Sequence, residues 1–156
     1  LPPGERGWSQ PHHQPRAAGF LHLPVLGFYF DRDDVALAKF SKFFREQSEK
    51  KQDQTEEFLK FQNKRGGRIV FQDIKKPEAD EWGNGTSAME HALKLEKSVN
   101  KALLELHKIA IEPGDPHMCD FLESEFLEKE VKLMKKLGDH LTNLRCVKAA
   151  ENGLRE

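Results

Sequence analysis

Cysteine is scarce in this sequence of 156 residues, which contains only Cys119 and Cys146. Two cysteines cannot form the disulfide framework of a small secreted domain, and a chain of this length does not need one. An excess of either charge is also lacking, since 25 basic side chains stand against 26 acidic ones. A near-neutral surface does not attract nucleic acids or anionic membranes electrostatically. These absences predict a reduced, cytoplasmic protein that binds neither nucleic acid nor membrane.

Long apolar runs are missing as well. The best candidate, residues 17–30, spans about 14 positions, fewer than the roughly 20 that a membrane-spanning helix requires, and it contains Pro24. No small-residue cleavage site follows this run, so it does not resemble a signal peptide. The length of the chain is sufficient for one domain with a packed core.

Proline divides the chain into two parts. Five of its eight prolines lie within residues 1–27, where each removes a backbone donor and disfavours helix at the preceding residue. We therefore predict an irregular or disordered N-terminal segment over residues 1–27 and a helical domain over residues 28–156.

The second part contains three predicted helices. The first runs from the acidic cluster at Asp31 to Asn63, through a polar stretch at 45–57 that only tertiary contacts can hold helical. The second runs from Thr86 or Ser87 to Ile111, with apolar residues at three- and four-residue spacing. The third begins at Asp115, an N-cap followed by proline, and ends near residues 142–145.

The links between the helices predict the topology. The short link between the second and third helices makes them antiparallel neighbours. The link between the first and second helices is roughly 20 residues long, enough to run the length of the bundle and leave these two helices parallel. Long helices joined by one long crossover form one of the known topologies of the four-helix bundle.

Four blocks of sequence closely resemble vertebrate ferritin subunits. They are NKRGGRIVFQDIKKP at 63–77, DEWG at 80–83, DPHMCDFLE at 115–123 and LGDHLTNL at 137–144. The resemblance extends from Phe28 to about Leu154.

This resemblance implies an all-α, ferritin-like four-helix bundle with one long crossover, whose first helix is replaced or incomplete and whose short fifth helix is missing. It also implies assembly with other ferritin subunits, as homo- or hetero-oligomers, into a closed shell of about 24 chains. The expected cargo is iron, entering as Fe2+ and stored as Fe3+, with no organic cofactor.

The sequence lacks the ligand pattern of a di-iron oxidation site. Such a site in a helical bundle uses Glu-x-x-His units, because a His three residues after a Glu lies on the same helix face. No Glu-x-x-His occurs in this chain. By resemblance, the segment that should supply ligands instead carries Lys50, Lys51 and Gln54, and the ligands of the first helix fall at Arg16 and Leu23. We therefore do not expect ferroxidase activity.

By the same resemblance, Glu96 is a retained acid of that site, and Glu130 stands where heavy-type subunits have glutamine. We identify these two residues as the remnant of a metal site. Light-type ferritin subunits resemble this sequence in placing a lysine at the position of Lys51. A lysine there excludes cations from the carboxylates that it neutralises. We therefore predict a buried ion pair between Lys51 and these two glutamates.

A second feature implied by the resemblance is a carboxylate cluster that nucleates the mineral on the cavity face of the first predicted helix. The matching residues are Glu46, Glu49 and Asp53, whose three- and four-residue spacing places them on one helical stripe. Lys50 replaces the fourth acid and should weaken this site. A solvated polar face is an equally good interpretation of the same stripe.

The third implied feature is the channel through which iron enters the shell at its three-fold axes. Asp120 and Glu123 match its acidic lining, and three copies would present six carboxylates that concentrate divalent cations. His107 and Cys119 match residues near the same channel. This site exists only in an oligomer.

These observations predict an iron-storage ferritin subunit without ferroxidase activity, contributing to shell formation, iron uptake and mineral nucleation. Two alternatives stay open: a helical interaction protein, or a truncated ferritin-derived product with no iron role. A ferroxidase is the least favoured reading, because the required ligands are absent.

Overall fold

A computed structural model of the chain describes residues 23–68 and 81–153, with side chains up to residue 150. Every regular element in these ranges is helical, which confirms the predicted all-α class. Helix α1 occupies 23–29 of the described residues. The later elements are helix α2 at Ala38–Lys64, α3 at Gly85–Ile111, α4 at Pro116–Leu122, a π-helical segment at Glu123–Leu127 and α5 at Glu128–Gly153. None of the described helices is long and apolar enough to cross a membrane.

Helix α1 corrects part of the prediction for the N-terminal segment. Residues 1–22 lie outside the described residues, but 23–27 are helical rather than irregular. Leu23 and Leu26 are both buried, and their three-residue spacing places them on one face of α1. Pro24 lies in the first described turn of α1, where the missing backbone N–H costs no intrahelical hydrogen bond, so this proline is compatible with the helix. The proposed domain boundary at residue 28 stays a prediction.

The predicted start of α2 at the acidic cluster is wrong. Residues 31–37 form a tight turn in which the amide of Leu37 donates to the carbonyl of Phe30, and the helix begins only at Ala38. Ala36 lies between the acids and the helix and has a φ of 47°, so a right-handed helix cannot run through it from Asp31. The acids bind arginine side chains instead. Arg45 lies 2.5 Å from Asp31, and Arg32 lies 2.6 Å from Asp34.

The other helix boundaries were predicted more closely. Helix α3 begins at Gly85, where the side chain of Asn84 accepts a hydrogen bond from the amide of Ser87, and it ends at Ile111 as predicted. Asp115 is the N-cap of α4, and its side chain accepts from the amide of Met118 at 3.0 Å, which confirms the predicted cap.

Helix α5 is longer than predicted. It continues to Gly153 instead of ending near residues 142–145. Gly138 does not break the helix, because Leu137 and Leu141 on either side of it are both buried against the core. Arg145 also lies 2.9 Å from Glu90 of α3, which ties the later turns of α5 to the bundle.

Two apolar clusters fill the bundle. The first joins α1 to the beginnings of α2 and α3 and to the middle of α5; its buried residues are Leu23, Leu26, Tyr29, Phe30, Phe44, Trp82, Ala88, Met89, Ala92, Leu137 and Leu141. The second joins the ends of α2 and α3 to α4 and the π-helical segment; its buried residues are Phe58, Phe61, Val99, Leu103, Leu106, Ala110, Met118, Leu122 and Phe126.

The order of the clusters along each helix gives the helix directions. Both α2 and α3 pass from the first cluster to the second, so they run parallel. The chain returns from the second cluster to the first along α5, which is therefore antiparallel to α3 as predicted. The crossover between α2 and α3 includes residues 69–80, which lie outside the described residues, so its predicted path is not tested.

Candidate functional site

Three charged side chains lie between the two apolar clusters. Lys51 comes from the middle of α2, Glu96 from the middle of α3 and Glu130 from the third residue of α5. Their side chains are 8%, 0% and 1% exposed, so all three have been removed from water. We call these three residues the buried triad. Each helix presents its member between residues of the first and second clusters, which fixes the position of the triad.

The geometry confirms the predicted ion pair. The ammonium nitrogen Nζ of Lys51 lies 2.7 Å from Oε2 of Glu96 and also donates a short hydrogen bond to Oε1 of Glu130. Glu96 and Glu130 therefore contact the same ammonium group. The lysine thus occupies the space between two carboxylates, where a bound cation would otherwise neutralise them.

The charge state of the triad follows from its burial. Burial raises the pKa of the Glu96 carboxyl to about 8; the nearby Lys51 ammonium opposes this rise and the Glu130 carboxylate adds to it. At neutral pH Glu96 is therefore mainly protonated, while Lys51 and Glu130 form a single ion pair. The triad then has no net charge, which is the least costly state for groups excluded from water.

The remaining positions of the implied oxidation site do not restore it. Leu23 is buried in the first apolar cluster, and Arg16 lies outside the described residues. Lys50 and Gln54 line an open groove between α2 and α5, beside Lys51. No group of three or more His, Cys, Asp or Glu side chains within the described residues is arranged to hold a metal ion. The described partner of both Glu96 and Glu130 is the ammonium of Lys51.

The implied nucleation residues are exposed along α2. Glu46, Glu49 and Asp53 all face solvent. Glu46 lies 4.0 Å from the ammonium of Lys42, and Asp53 lines the same groove as Lys50. The structure thus places lysines beside two of the three acids, and the assignment of a nucleation site stays a prediction.

The residues of the implied channel lie at the junction of α3, α4 and the π-helical segment. Nε2 of His107 lies 2.6 Å from Oε1 of Glu123, so these two side chains contact each other. Burial raises the pKa of the Cys119 thiol, and the charges of Glu123 and Asp115 raise it further, which makes Cys119 an unreactive thiol at neutral pH. Asp120 is exposed. The channel itself needs other subunits, so this assignment also stays a prediction.

The π-helical segment is a feature of this site that the sequence analysis missed. The amide of Glu128 donates to the carbonyl of Glu123, five residues earlier, instead of four. The hydroxyl of Ser124 also bonds to the carbonyl of Asp120 at 2.6 Å. Such a bulge changes the direction of the side chains before it relative to those after it. Glu123 and Glu130 can therefore face different surroundings, the first exposed and the second buried.

A second polar contact fixes the end of α2 against the start of α4. The guanidinium nitrogen Nη1 of Arg65 lies 2.6 Å from Oδ2 of Asp115, the N-cap of α4. This hydrogen-bonded guanidinium lowers the pKa of the Asp115 carboxyl, although partial burial opposes the shift. Next to it, the rings of Phe61 and Phe121 stack with their centroids 3.8 Å apart. These contacts hold α4, and with it the channel residues, in place.

The comparisons with known proteins agree with this architecture. The ferritin-like domain of the Ferritin family matches residues 25–147. The ferritin light chain, oocyte isoform, of Xenopus laevis is 73% identical over 139 residues, which cover 89% of this chain and 78% of that protein. The ferritin middle subunit of Salmo salar is 59% identical over 131 residues, covering 84% of this chain and 74% of that protein. The ferritin middle subunit of Aquarana catesbeiana is 59% identical over 128 residues, covering 82% of this chain and 73% of that protein. The chain therefore belongs to the ferritin family of iron-storage subunits.

Proposed function

We propose that this chain is a light-type ferritin subunit that contributes to the storage of iron without oxidising it. The observation that supports the proposal is the buried triad. The ammonium of Lys51 lies between Glu96 and Glu130, and iron(II) would have to displace it to reach either carboxylate. A fixed positive charge in a poorly hydrated site repels a divalent cation strongly.

The roles of the other acidic residues belong to the same proposal. Asp120 and Glu123, with His107 and Cys119 behind them, would line the channel for iron(II) in an assembled shell. Glu46, Glu49 and Asp53 would offer carboxylates to the growing ferric mineral. In both places iron is the cargo of the protein and not a resident cofactor.

The proposal also includes assembly with other ferritin subunits in the cytoplasm. Exposed apolar side chains such as Leu104 and Ile111, which are 50% and 56% exposed, are available for contacts between subunits. Light scattering across a size-exclusion peak would measure the mass of the chain expressed alone and with a heavy-type ferritin subunit. We expect large particles of defined mass; a monomer or a polydisperse aggregate in both cases would contradict assembly.

The rate of oxygen consumption after addition of iron(II) tests the proposal that the chain does not oxidise iron. We expect the purified chain to consume oxygen at the rate of a protein-free control. The matched variant combines Lys50→Glu, Lys51→Glu and Gln54→His, which restores the acids and the imidazole that the resemblance implies at these positions. Rapid oxygen consumption by the unmodified chain would overturn the proposal.

A further inference from the structure

A half-open groove between α2 and α5 is lined by more lysines than carboxylates. Its volume is about 430 Å³. Five lysines and three carboxylates line it. They are Lys50, Lys51, Lys129, Lys132 and Lys136, with Asp53, Glu57 and Glu130. Because Lys51 and Glu130 bind each other, four lysines face two carboxylates in the part of the groove that a ligand can reach.

The lysines of the α5 wall form one stripe. Lys129, Lys132 and Lys136 follow each other at spacings of three and four residues, so they project from the same face of the helix. Lys129 and Lys132 pair with Glu125 and Glu128 at 2.7 and 2.6 Å. These are exposed pairs one helical turn apart, which contribute little and give way easily to a stronger anion.

Two lysines at the groove have no carboxylate partner among the described residues. Lys136 lies over the ring of Phe43, 5.2 Å from its centroid, and Lys50 lies on the opposite wall. Lys50 and Lys136 are exposed at the rim. An anion between the two helices would therefore meet ammonium groups from both walls.

A buried donor without a partner also lines the groove. Gln47 is only 5% exposed, and its side-chain amide nitrogen has no hydrogen-bond partner among the described residues. A buried polar group in this state costs free energy, which a bound acceptor would recover. The amide donates neutral hydrogen bonds, so it adds directed recognition to the charge of the lysines.

We propose that this groove binds a polyvalent oxyanion of the phosphate class, a diphosphate or a longer phosphate chain, whether free or part of a nucleotide. The α5 lysines and Lys50 supply charge-assisted hydrogen bonds, and Gln47, which lines the groove, offers a buried amide donor beside them. The carboxylates of Asp53 and Glu57 lie on the α2 wall and repel the anion toward α5. The proposal does not depend on the role of the chain in iron storage.

Calorimetric titration of the iron-free, full-length chain with pyrophosphate, and in parallel with ADP, tests the proposal. We expect saturable binding with one site per chain that weakens as the ionic strength rises from about 0.01 M to about 0.1 M, over which the Debye length falls from about 30 to about 10 Å. Equal affinities would identify a free phosphate chain as sufficient, and tighter binding of ADP would identify a nucleotide. The absence of binding of either probe would overturn the proposal.

Matched variants distinguish specific binding in the groove from nonspecific electrostatic attraction to surface lysines. The double variant Lys132→Gln, Lys136→Gln removes two groove lysines and should weaken binding by about ten-fold. The control Lys60→Gln, Lys135→Gln removes the same charge from α2 and α5 at exposed positions outside the groove lining. An equal loss of affinity in both double variants would contradict a specific site.

Two further variants test the direction of the effects. Asp53→Asn removes a repelling charge and should strengthen binding, an effect that damage to the fold cannot imitate. Gln47→Met keeps the volume of the side chain and the net charge but removes the amide, so it should weaken binding. Unchanged affinity in Gln47→Met would contradict the assignment of this amide as a donor. Circular dichroism of each variant verifies that the helices are intact.

Discussion

The ammonium of Lys51 lies 2.7 Å from Oε2 of Glu96, although both side chains are almost completely shielded from water. A second glutamate, Glu130, binds the same ammonium. With two carboxylates and one cation, a buried group of this kind needs one more positive charge to be neutral. The pKa of Glu96, raised to about 8 mainly by burial, indicates that a proton supplies it.

The proton on Glu96 predicts a specific dependence of stability on pH. The folded chain keeps this proton up to about pH 8, whereas the unfolded chain releases it near pH 4.5. Between these values the folded state binds more protons, so the free energy of unfolding falls as the pH rises. The variant Glu96→Gln has no proton to lose and should lack this part of the slope.

Urea unfolding followed by circular dichroism between about pH 5 and about pH 8 measures this difference. Glu105→Gln, at an exposed position of the same helix, is the control and should keep the slope of the unmodified chain. Identical slopes for Glu96→Gln and the unmodified chain would show that Glu96 is ionised in the folded state.

The residues of the triad could be identified from the sequence, but the state of their charges could not. The resemblance to ferritin subunits placed Lys51, Glu96 and Glu130 in the same site. A lysine beside two acids predicts an ion pair. The protonation of Glu96 depends on how completely three helices exclude water from one point. The exclusion of water from the triad depends on the packing of the two apolar clusters on either side of it, which the sequence does not show.

Helix boundaries were also predicted correctly only where the local sequence determines them. The cap at Asp115 acts on an amide three residues away, so the local sequence was sufficient to predict it. The start of α3 was predicted at Thr86 or Ser87, within one or two residues of Gly85. The helix does not begin at Asp31, because Ala36 has a left-handed φ of 47° and the helix begins only after it. Alanine rarely adopts this conformation, so the local sequence does not indicate it. The π-helical segment at Glu123–Leu127 was not predicted from the sequence.

Removal of the lysine of the triad should destabilise the protein strongly. Lys51→Met keeps most of the side-chain volume but leaves the buried carboxylate of Glu130 without its cation, and we expect a loss of about 3–5 kcal/mol. Urea unfolding at neutral pH measures it. Lys60→Met, at an exposed position on the same helix, should change the free energy of unfolding by less than about 0.5 kcal/mol.

A neutral triad should recover most of this loss. The triple variant Lys51→Met, Glu96→Gln, Glu130→Gln has no buried charge, and such replacements are often neutral or stabilising. If Lys51→Met alone is as stable as the unmodified chain, the two glutamates must take up protons or water at little cost, and the triad is not a structural ion pair.

The contact of Arg65 with Asp115 predicts two separable effects. Asp115→Ala removes both the N-cap of α4 and the ion pair, whereas Asp115→Asn keeps a capping oxygen and removes only the charge. Loss of the cap should cost about 1 kcal/mol. Thermal or urea unfolding should therefore give the order unmodified chain, Asp115→Asn, Asp115→Ala, from most to least stable.

The ion pair should also have its own pH dependence. Because Arg65 lowers the pKa of Asp115 below 3.8, the charge stabilises the folded state above that pH and ceases to do so as the pH falls through the lowered pKa. The difference between the unmodified chain and Asp115→Asn should therefore disappear in acid. A difference that persists there would mean that the amide disturbs the cap.

The acidic channel residues predict an effect on iron loading that appears only in assembled particles. Three copies of Asp120 and Glu123 would concentrate iron(II) at the channel mouth, and Asp120→Ala, Glu123→Ala should slow loading by about ten-fold, the lower end of the range for electrostatic focusing. The matched control Glu125→Ala, Glu128→Ala removes the same charge from neighbouring positions and should load normally. Stopped-flow absorbance of the ferric product in particles shared with a heavy-type subunit measures the rate, and light scattering verifies equal particle mass. Equal loading rates in both double variants would show that iron(II) does not depend on Asp120 and Glu123 to enter, and the proposed channel would then be wrong.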